Sequence, residues 1–568
     1  MSWPYFLETR KRRGLMLMMK RKLAVITCFS ISLFSVRSKA QKDARPVIVS
    51  APNRKPGEGV GPYARLIIRG VTVIDGTGAA PMGPMDVVVE HNKIVDVVNV
   101  GAPHVPIDPK RRPAKGDHEI DGTGMYLMPG FVDNHIHYGS PQKAPEAEYC
   151  NKLWLAHGVT TVRGVPAGPL DWALKERERS AKNEIVAPRL YVYQSEFSGD
   201  GWKPQLPVTP EMARQWVDFV AAKGVDGLKL HGGDPEIVEA LLDEAKKKHL
   251  GSLDHISQTT APRMTARIAV DMGLRTITHS YGLFESLLKD TSVQDYPFTQ
   301  NYSDEYMRFG QVARNWDKIH PQGSPEWKDF LTDLKAHNAV MNPTMVIYSA
   351  GRDLMRAYTA EWHDRYTLPS LWDYYQPNRS NHGSYWYYWT TEDEYAFKNY
   401  YRVWGQMLKD YNQMGGHITV GTDAGYIYQD FGFSYIEEME LLREAGLTPL
   451  EVIRSATLYG AEELQSPKQT TVDFGIIRPG TLADMVIVDQ NPLENLKVFY
   501  GTGWMKLNDV TGKVERVGGI KYVVKDGIIY EPSKLLADVA AMVEKQKKER
   551  KGKPVVRQGV GGVMPEDL

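Results

Sequence analysis

The sequence predicts an α/β fold, a (β/α)8 TIM-like barrel carrying a discontinuous β-sandwich domain made from both ends of the chain. Three observations predict it. Through the middle of the chain, short apolar runs alternate with helix-length segments, the pattern of parallel βαβ units. Eight such runs can be counted, the number for a closed barrel whose functional residues gather at the C-terminal strand ends. On either side lie β-branched segments with turn punctuation, the pattern of antiparallel strands.

At 568 residues, with 42% hydrophobic and 24% charged side chains, the chain has room for a barrel and an accessory domain. Its composition excludes disordered, collagen-like and multi-span membrane classes. The 69 basic and 69 acidic side chains hide an uneven start: residues 1–40 hold nine basic residues and one acidic residue, Glu8. The remainder is acidic by about 8 charges, which argues against a nucleic-acid partner held by phosphate neutralisation.

Residues 1–40 read as a signal peptide, with a basic stretch ending in Lys20-Arg21-Lys22, an apolar run from Leu23 to Val36, and Ser38-Lys39-Ala40 as a cleavage site. The run is shorter than the roughly 20 residues of a spanning helix. Export to a periplasmic or secreted location, with no stable membrane insertion after cleavage, is therefore expected. Met18 or Met19 offers an alternative start. One of the two cysteines, Cys28, lies in this segment, which leaves Cys150 as a buried, unbridged thiol in the remainder.

The first part of the β-sandwich is expected over residues 60–128, with strands within Arg65–Asp75 and Met85–Val98. Its second part is expected over 469–532, with Ala483–Asp489 and Ile520–Tyr530, the latter turning at Asp526-Gly527. The barrel occupies 129–468. Its eight strands are expected at Phe131–His137, Val159–Val165, Arg189–Gln194, Gly227–His231, Gly251–Ile256, Arg275–Ser280, Ala339–Tyr348 and His417–Asp423. Residues 283–412 interrupt the regular spacing and concentrate seven of 13 Trp and 15 of 30 Tyr. This stretch is either a packed subdomain or dimer contact, or an aromatic wall over the substrate in which Trp386 and Trp389 take part. A helix and a disordered tail are expected over 533–568.

Ligand-type residues sit at the strand ends. Asp133-Asn134-His135-Ile136-His137 closes the first, and the period of two in a strand points both imidazoles to one side. Such a pair can chelate a divalent metal. Lys229, His255, His279 and Asp423 end later strands in the same way, while His231 follows Lys229 by two and shares its side. Tyr138 follows the His pair and is a candidate either for packing or for bonding an oxyanion. His157, His320 and His382 are read as structural or loop residues.

Over roughly residues 60–532 the chain resembles the metal-dependent amidohydrolase superfamily. The blocks that carry the likeness are the His-x-His segment, Ile120-Asp-Gly-Thr-Gly124, Ala156-His-Gly-Val-Thr-Thr-Val-Arg163, Gly421-Thr-Asp-Ala-Gly425, Ala456-Thr-Leu-Tyr-Gly-Ala461 and Ile477-Arg-Pro-Gly-Thr-Leu-Ala-Asp484. Gly224-Val-Asp-Gly-Leu-Lys-Leu230 is similar to strand four of its prolidase-like, imidazolonepropionase-related branch. Gly164 departs from the pattern, since relatives often carry Asp there.

The resemblance implies a binuclear centre of two divalent ions, Zn foremost, with Mn, Fe, Co or Ni as alternatives according to supply. His135 and His137 would hold one ion and His255 and His279 the other. Lys229 would bridge as an N6-carboxylated lysine, and Asp423 would bind the first ion and accept the proton of the attacking water. The implied activity is hydrolysis of a C–N amide or peptide-type bond in a dipeptide, N-acyl amino acid or similar small molecule. Alternatives are a lactone or phosphotriester hydrolase on the same centre, or a mononuclear deaminase. The last usually needs a Glu three residues after the strand-five histidine, where this chain has Gln258. An association of identical copies stays open.

Overall fold

In a computed structural model of the chain, residues 48–550 are described, apart from 141–142, 204–208, 291–295, 303, 377–382 and 384–388. The expected signal segment, Trp386 and the tail beyond 550 lie outside the described residues.

Eight strands pair in parallel, each beside its predecessor in the sequence: Phe131–Ile136, Val159–Gly164, Arg189–Ser195, Gly227–Leu230, Gly251–Asp254, Thr276–Thr278, Val340–Asn342 and His417–Ile418. The sheet curls. Its last segment returns to its first through backbone bonds from Asn134 N to Val420 O (2.9 Å) and from Asp423 N to His135 O (2.9 Å). The Phe131–Ile136 and Gly227–Leu230 strands are buried along their whole length, as strands with both faces covered must be.

Helices fill the spaces between strands for local reasons. Pro210–Lys223 starts on Thr209, whose hydroxyl accepts from Met212 N, has Pro in its first turn and stops at Gly224. Thr391–Gln413 begins with a reciprocal capping box between Thr390 and Asp393. Pro449–Ala456 does the same with Thr448 and Glu451.

Strands from the two ends of the chain join in a second sheet of eight strands. Met485–Val488 lies between Tyr126–Pro129 and Ile520–Lys525, and Leu66–Val73 pairs with Met82–Glu90. The expected turn at Asp526-Gly527 connects Ile520–Lys525 to Ile528–Tyr530 with both residues at positive φ. A Cβ on Gly527 would lie 1.9 Å from the His91 carbonyl oxygen, so only glycine fits. Arg189 ties this sheet to the parallel one, reaching Asp484 and Asp526 at 2.5 Å each.

The seventh strand is much shorter than the expected Ala339–Tyr348. It ends at Asn342, Thr344 adopts a left-handed φ of 48°, and Met345–Tyr348 form a 3-10 helix. Pro343 cannot donate to a ladder, so the apolar run that read as strand breaks there. Most aromatics of 283–412 are core: Trp372, Tyr375, Tyr400 and Trp404 are buried. Cys150 is a free, buried thiol. Among the described residues, no helix is long and apolar enough to cross a membrane.

Candidate metal centre

The His-x-His geometry expected of an extended strand is present. His135 and His137 project to the same side, their ring centroids 5.5 Å apart. Their Nε2 atoms lie 3.8 and 3.2 Å from Asp423 Oδ1. Ligand atoms of His135, His137 and Asp423 all fall within 4.8 Å of one another. His279 approaches the other carboxylate oxygen, 3.8 Å from Asp423 Oδ2, and the His255 ring lies 4.7 Å from that of His279. Lys229 is buried on the intervening strand, in register with Leu253.

Backbone strain helps to assemble the group. His279 and Asp423 have φ of 63° and 53°, a region that residues other than glycine seldom enter and that often marks functional sites. His279 stands just past Thr278, the end of the sixth strand, while Asp423 lies five residues beyond Ile418, since the eighth strand is His417–Ile418 and stops short of the expected His417–Asp423. Asp133 holds the first and last strands together, accepting from His135 N (3.2 Å), Thr422 N (3.1 Å) and Thr422 Oγ1 (2.8 Å).

The outer ring nitrogens are occupied. His135 Nδ1 meets Asn342 Oδ1 at 3.3 Å, His137 Nδ1 meets the Pro166 carbonyl at 3.2 Å, and His279 Nδ1 meets Thr344 Oγ1 at 2.5 Å. These partners orient each ring so that Nε2 faces inward, as metal-ligating histidines require. Gly164 now has a local reason. A Cβ there would fall 2.4 Å from the Ala167 methyl, so the space where relatives often place Asp is taken by the Pro166–Ala167 turn.

Burial pushes His135 and His255 well below the ordinary imidazole range and His279 down to about 3, which keeps their rings neutral. Burial also works to raise Asp423, but the contact with His137 and the charge of the Lys229 ammonium outweigh it and hold the carboxyl at about 2. Desolvation brings the Lys229 ammonium down to about 8, against the pull of Asp423, Asp254 and Glu196. Neutral imidazoles and an ionised carboxylate form a donor set that fits a divalent metal ion.

A cavity of about 380 Å³ opens over this group, lined by His137, His231, His255 and Asp423 and by Tyr281, Tyr302, Phe309, Tyr348 and Tyr426, with Arg308 at its wall. His231 lines it with Nδ1 held 2.9 Å from both oxygens of Glu196. Sequence reasoning missed Glu196, Asn342 and Thr344, although each stands within two residues of a parallel strand's end, which was the available signal. Two aromatic candidates take the packing alternative. Tyr138 donates to Asn151 Oδ1 at 2.8 Å and packs between Trp154 and Trp172. Trp389 donates to the Gly351 carbonyl and packs on Phe397, outside the cavity lining.

The Amidohydrolase family model matches residues 396–531, which contain Asp423. A curated relative, adenine deaminase 2 of Desulfotalea psychrophila, is 36% identical over 176 residues, covering 28% of this chain and 30% of that protein. The matches to such relatives thus span less than a third of their length. Among solved structures, bottromycin amidohydrolase superposes with a TM-score of 0.56 at 18% identity, over 84% of this chain and 90% of that one. A Xaa-Pro dipeptidase with bound methionine in its active site gives 0.51 at 18% identity, over 82% of this chain and all of that one. These structural likenesses speak for the fold. The family match over residues 396–531 and this shared fold support an assignment to the metal-dependent amidohydrolase superfamily.

Proposed function

We propose that the chain is an exported hydrolase of C–N amide or peptide-type bonds in small molecules such as dipeptides or N-acyl amino acids. One observation carries the reading: four imidazoles, a buried lysine and an ionised aspartate converge beneath a single cavity at the C-terminal ends of a curled parallel sheet. The sheet closes as a (β/α)8 barrel, and the strands from the chain ends form a sandwich-type domain beside it.

His135, His137 and Asp423 would hold one divalent ion and His255 and His279 a second, with Lys229, carboxylated on Nζ, between them. Such ions supply Lewis acidity, lowering the pKa of a bound water to about 7 and polarising a carbonyl. The remaining steps fall to the chain. Asp423, ionised at neutral pH, takes the proton of the attacking water and delivers it to the leaving nitrogen. His231, steadied by Glu196, turns Nε2 toward the substrate. The tyrosines and Phe309 exclude bulk water. Export is supported by the basic and apolar pattern of residues 1–40 alone.

The test is metal content per chain by elemental analysis for wild type and Lys229→Ala, with a panel of dipeptides and N-acyl amino acids. About two ions in wild type, lost or halved in the variant, with turnover of amides, is the expected outcome. A single ion unaffected by the substitution overturns the bridging role and favours the mononuclear deaminase, with deamination assays next.

A further inference from the structure

An arginine reaches the cavity from outside the parallel sheet, and the hydrolytic reading gives it no task. The helix Glu305–Ala313 stands between the sixth and seventh strands of that sheet, inside the aromatic-rich stretch. It starts on Asp304, whose side chain accepts from Tyr306 N at 3.1 Å and from Met307 N at 3.4 Å. Its Arg308 is the only lysine or arginine among the described residues that line the cavity, and it is 8% exposed. The guanidinium carbon lies 4.6 Å from the centroid of the Phe309 ring and 5.4 Å from that of Tyr302, and both rings line the cavity as well. Burial foremost, with the Arg308 charge among the further causes, pushes His255 and His279 down, which puts the guanidinium within electrostatic reach of these two imidazoles.

The helix that carries this arginine is fixed from two sides. Gln258, buried four residues past the fifth strand, donates from Nε2 to the Arg308 carbonyl at 3.3 Å, and Tyr296 OH donates to the Gln258 carbonyl at 3.0 Å. This is the position where the mononuclear deaminase alternative needs a Glu. An amide there cannot take up a proton as a carboxylate would, and it anchors the helix instead. On the other side, Tyr306 OH donates to Asp393 at 3.1 Å, at the start of the helix Thr391–Gln413. Arginine keeps its charge when buried, and its planar fork of donors matches a carboxylate. Packing alone would be served by an apolar side chain, as at the neighbouring lining positions Phe309 and Ile347. A cation preset in the wall of a cavity binds an anion at little cost in side-chain ordering.

We propose that Arg308 is the specificity-determining residue of this cavity and binds a carboxylate of the substrate on the His255 side of the bond to be cleaved. The proposal rests on the hydrolytic reading above and narrows its substrates to small molecules with a free carboxylate near the scissile bond. The carbonyl to be attacked belongs over His137, His255 and Asp423, which leaves the guanidinium in the wall for a second group of the substrate. With no second lysine or arginine in the described lining, it matches one negative charge, which favours a carboxylate over a dianionic phosphate.

The test compares the metal-loaded full chain with its Arg308→Met and Arg308→Lys variants on N-acetyl-L-phenylalanine and its C-terminal amide, reading acetate release, with circular dichroism as the check on folding. A charge-assisted pair predicts that wild type prefers the acid by roughly 20-fold in kcat/KM and that Arg308→Met loses the preference, mainly through a raised KM for the acid. Arg308→Lys, which keeps the charge but not the fork, retains part of it. No preference in wild type, an equal loss on both probes, or a preference that survives in folded Arg308→Met overturns the subsite and makes Arg308 structural. Where Arg308→Met does not fold, Arg308→Lys decides: a preference cut several-fold upholds the subsite and an unchanged one overturns it. If wild type cleaves neither probe, the hydrolytic reading fails for this class, and thermal shift with the acid and the amide decides the subsite. A stabilisation specific to the acid and absent in Arg308→Met upholds it, and the lack of one overturns it.

Discussion

His157 shows what a histidine does in this chain when it lies away from the candidate metal centre. Its Nδ1 donates to the Leu153 carbonyl at 2.8 Å and its ring lies against Phe433, with centroids 4.2 Å apart. Burial pushes its pKa down to about 4. A group that is harder to protonate when folded takes up more protons in the unfolded chain, so its contribution is complete above about pH 6.5 and fades as pH falls toward 4. Between pH 7 and 4.5 this one residue should account for about 2–3 kcal/mol of lost stability. Urea unfolding of wild type and His157→Gln at the two pH values checks it: the variant should lose less on acidification, and equal losses would remove His157 as a sensor. The histidines that the structure brings together were legible in the sequence because the strand period of two and the strand ends mark them. Glu196 was not, since its place depends on a neighbour 35 positions away, His231.

At the scale of elements, the helix Thr391–Gln413 carries much of the aromatic packing beside the seventh strand. It buries Phe397, Tyr400, Tyr401, Trp404 and Tyr411 along one side. Its start depends on Asp393, which accepts from Thr390 N at 2.9 Å, from Tyr306 OH at 3.1 Å and from Arg314 at 2.6 Å. Asp393→Ala removes the capping box and one side of that ion pair, and should lower stability by about 1–2 kcal/mol. Denaturant midpoints measure this, and a change within error would mean the helix is set by its packed face alone. The sequence predicted the parallel strands well, because fully buried strands leave short apolar runs with sharp ends. It misjudged Ala339–Tyr348, where an apolar run continues past Pro343 into a 3-10 helix, since periodicity alone cannot distinguish a buried strand from a buried turn of helix.

At the scale of the molecule, the sheet built from both ends ties the curled parallel sheet to the last hundred residues. Met485–Val488 is central in that sheet, and Arg189 of the third parallel strand is answered by Asp484 and Asp526. A chain ending at residue 468 would expose the edge of Tyr126–Pro129 and leave the Arg189 guanidinium half-buried without its carboxylates. Such a truncation should give aggregated or unfolded protein, and circular dichroism with gel filtration would show it. A monomeric, cooperatively unfolding product would mean that the parallel sheet and its helices are self-sufficient.

The sequence by itself determined the order of the elements, the eight parallel strands, the joining of the two ends and the ligand types at the strand ends, because hydrophobic period and strand alternation are local properties of the chain. Tertiary structure alone decided which groups face the cavity. It turned Tyr138 into the core toward Asn151, gave the space beside Gly164 to the Pro166–Ala167 turn, set Glu196 against His231 and brought Arg308 to the cavity wall. These outcomes depend on how distant segments pack at the ends of a curled sheet, where loop closure and burial rather than local periodicity fix the direction of each side chain.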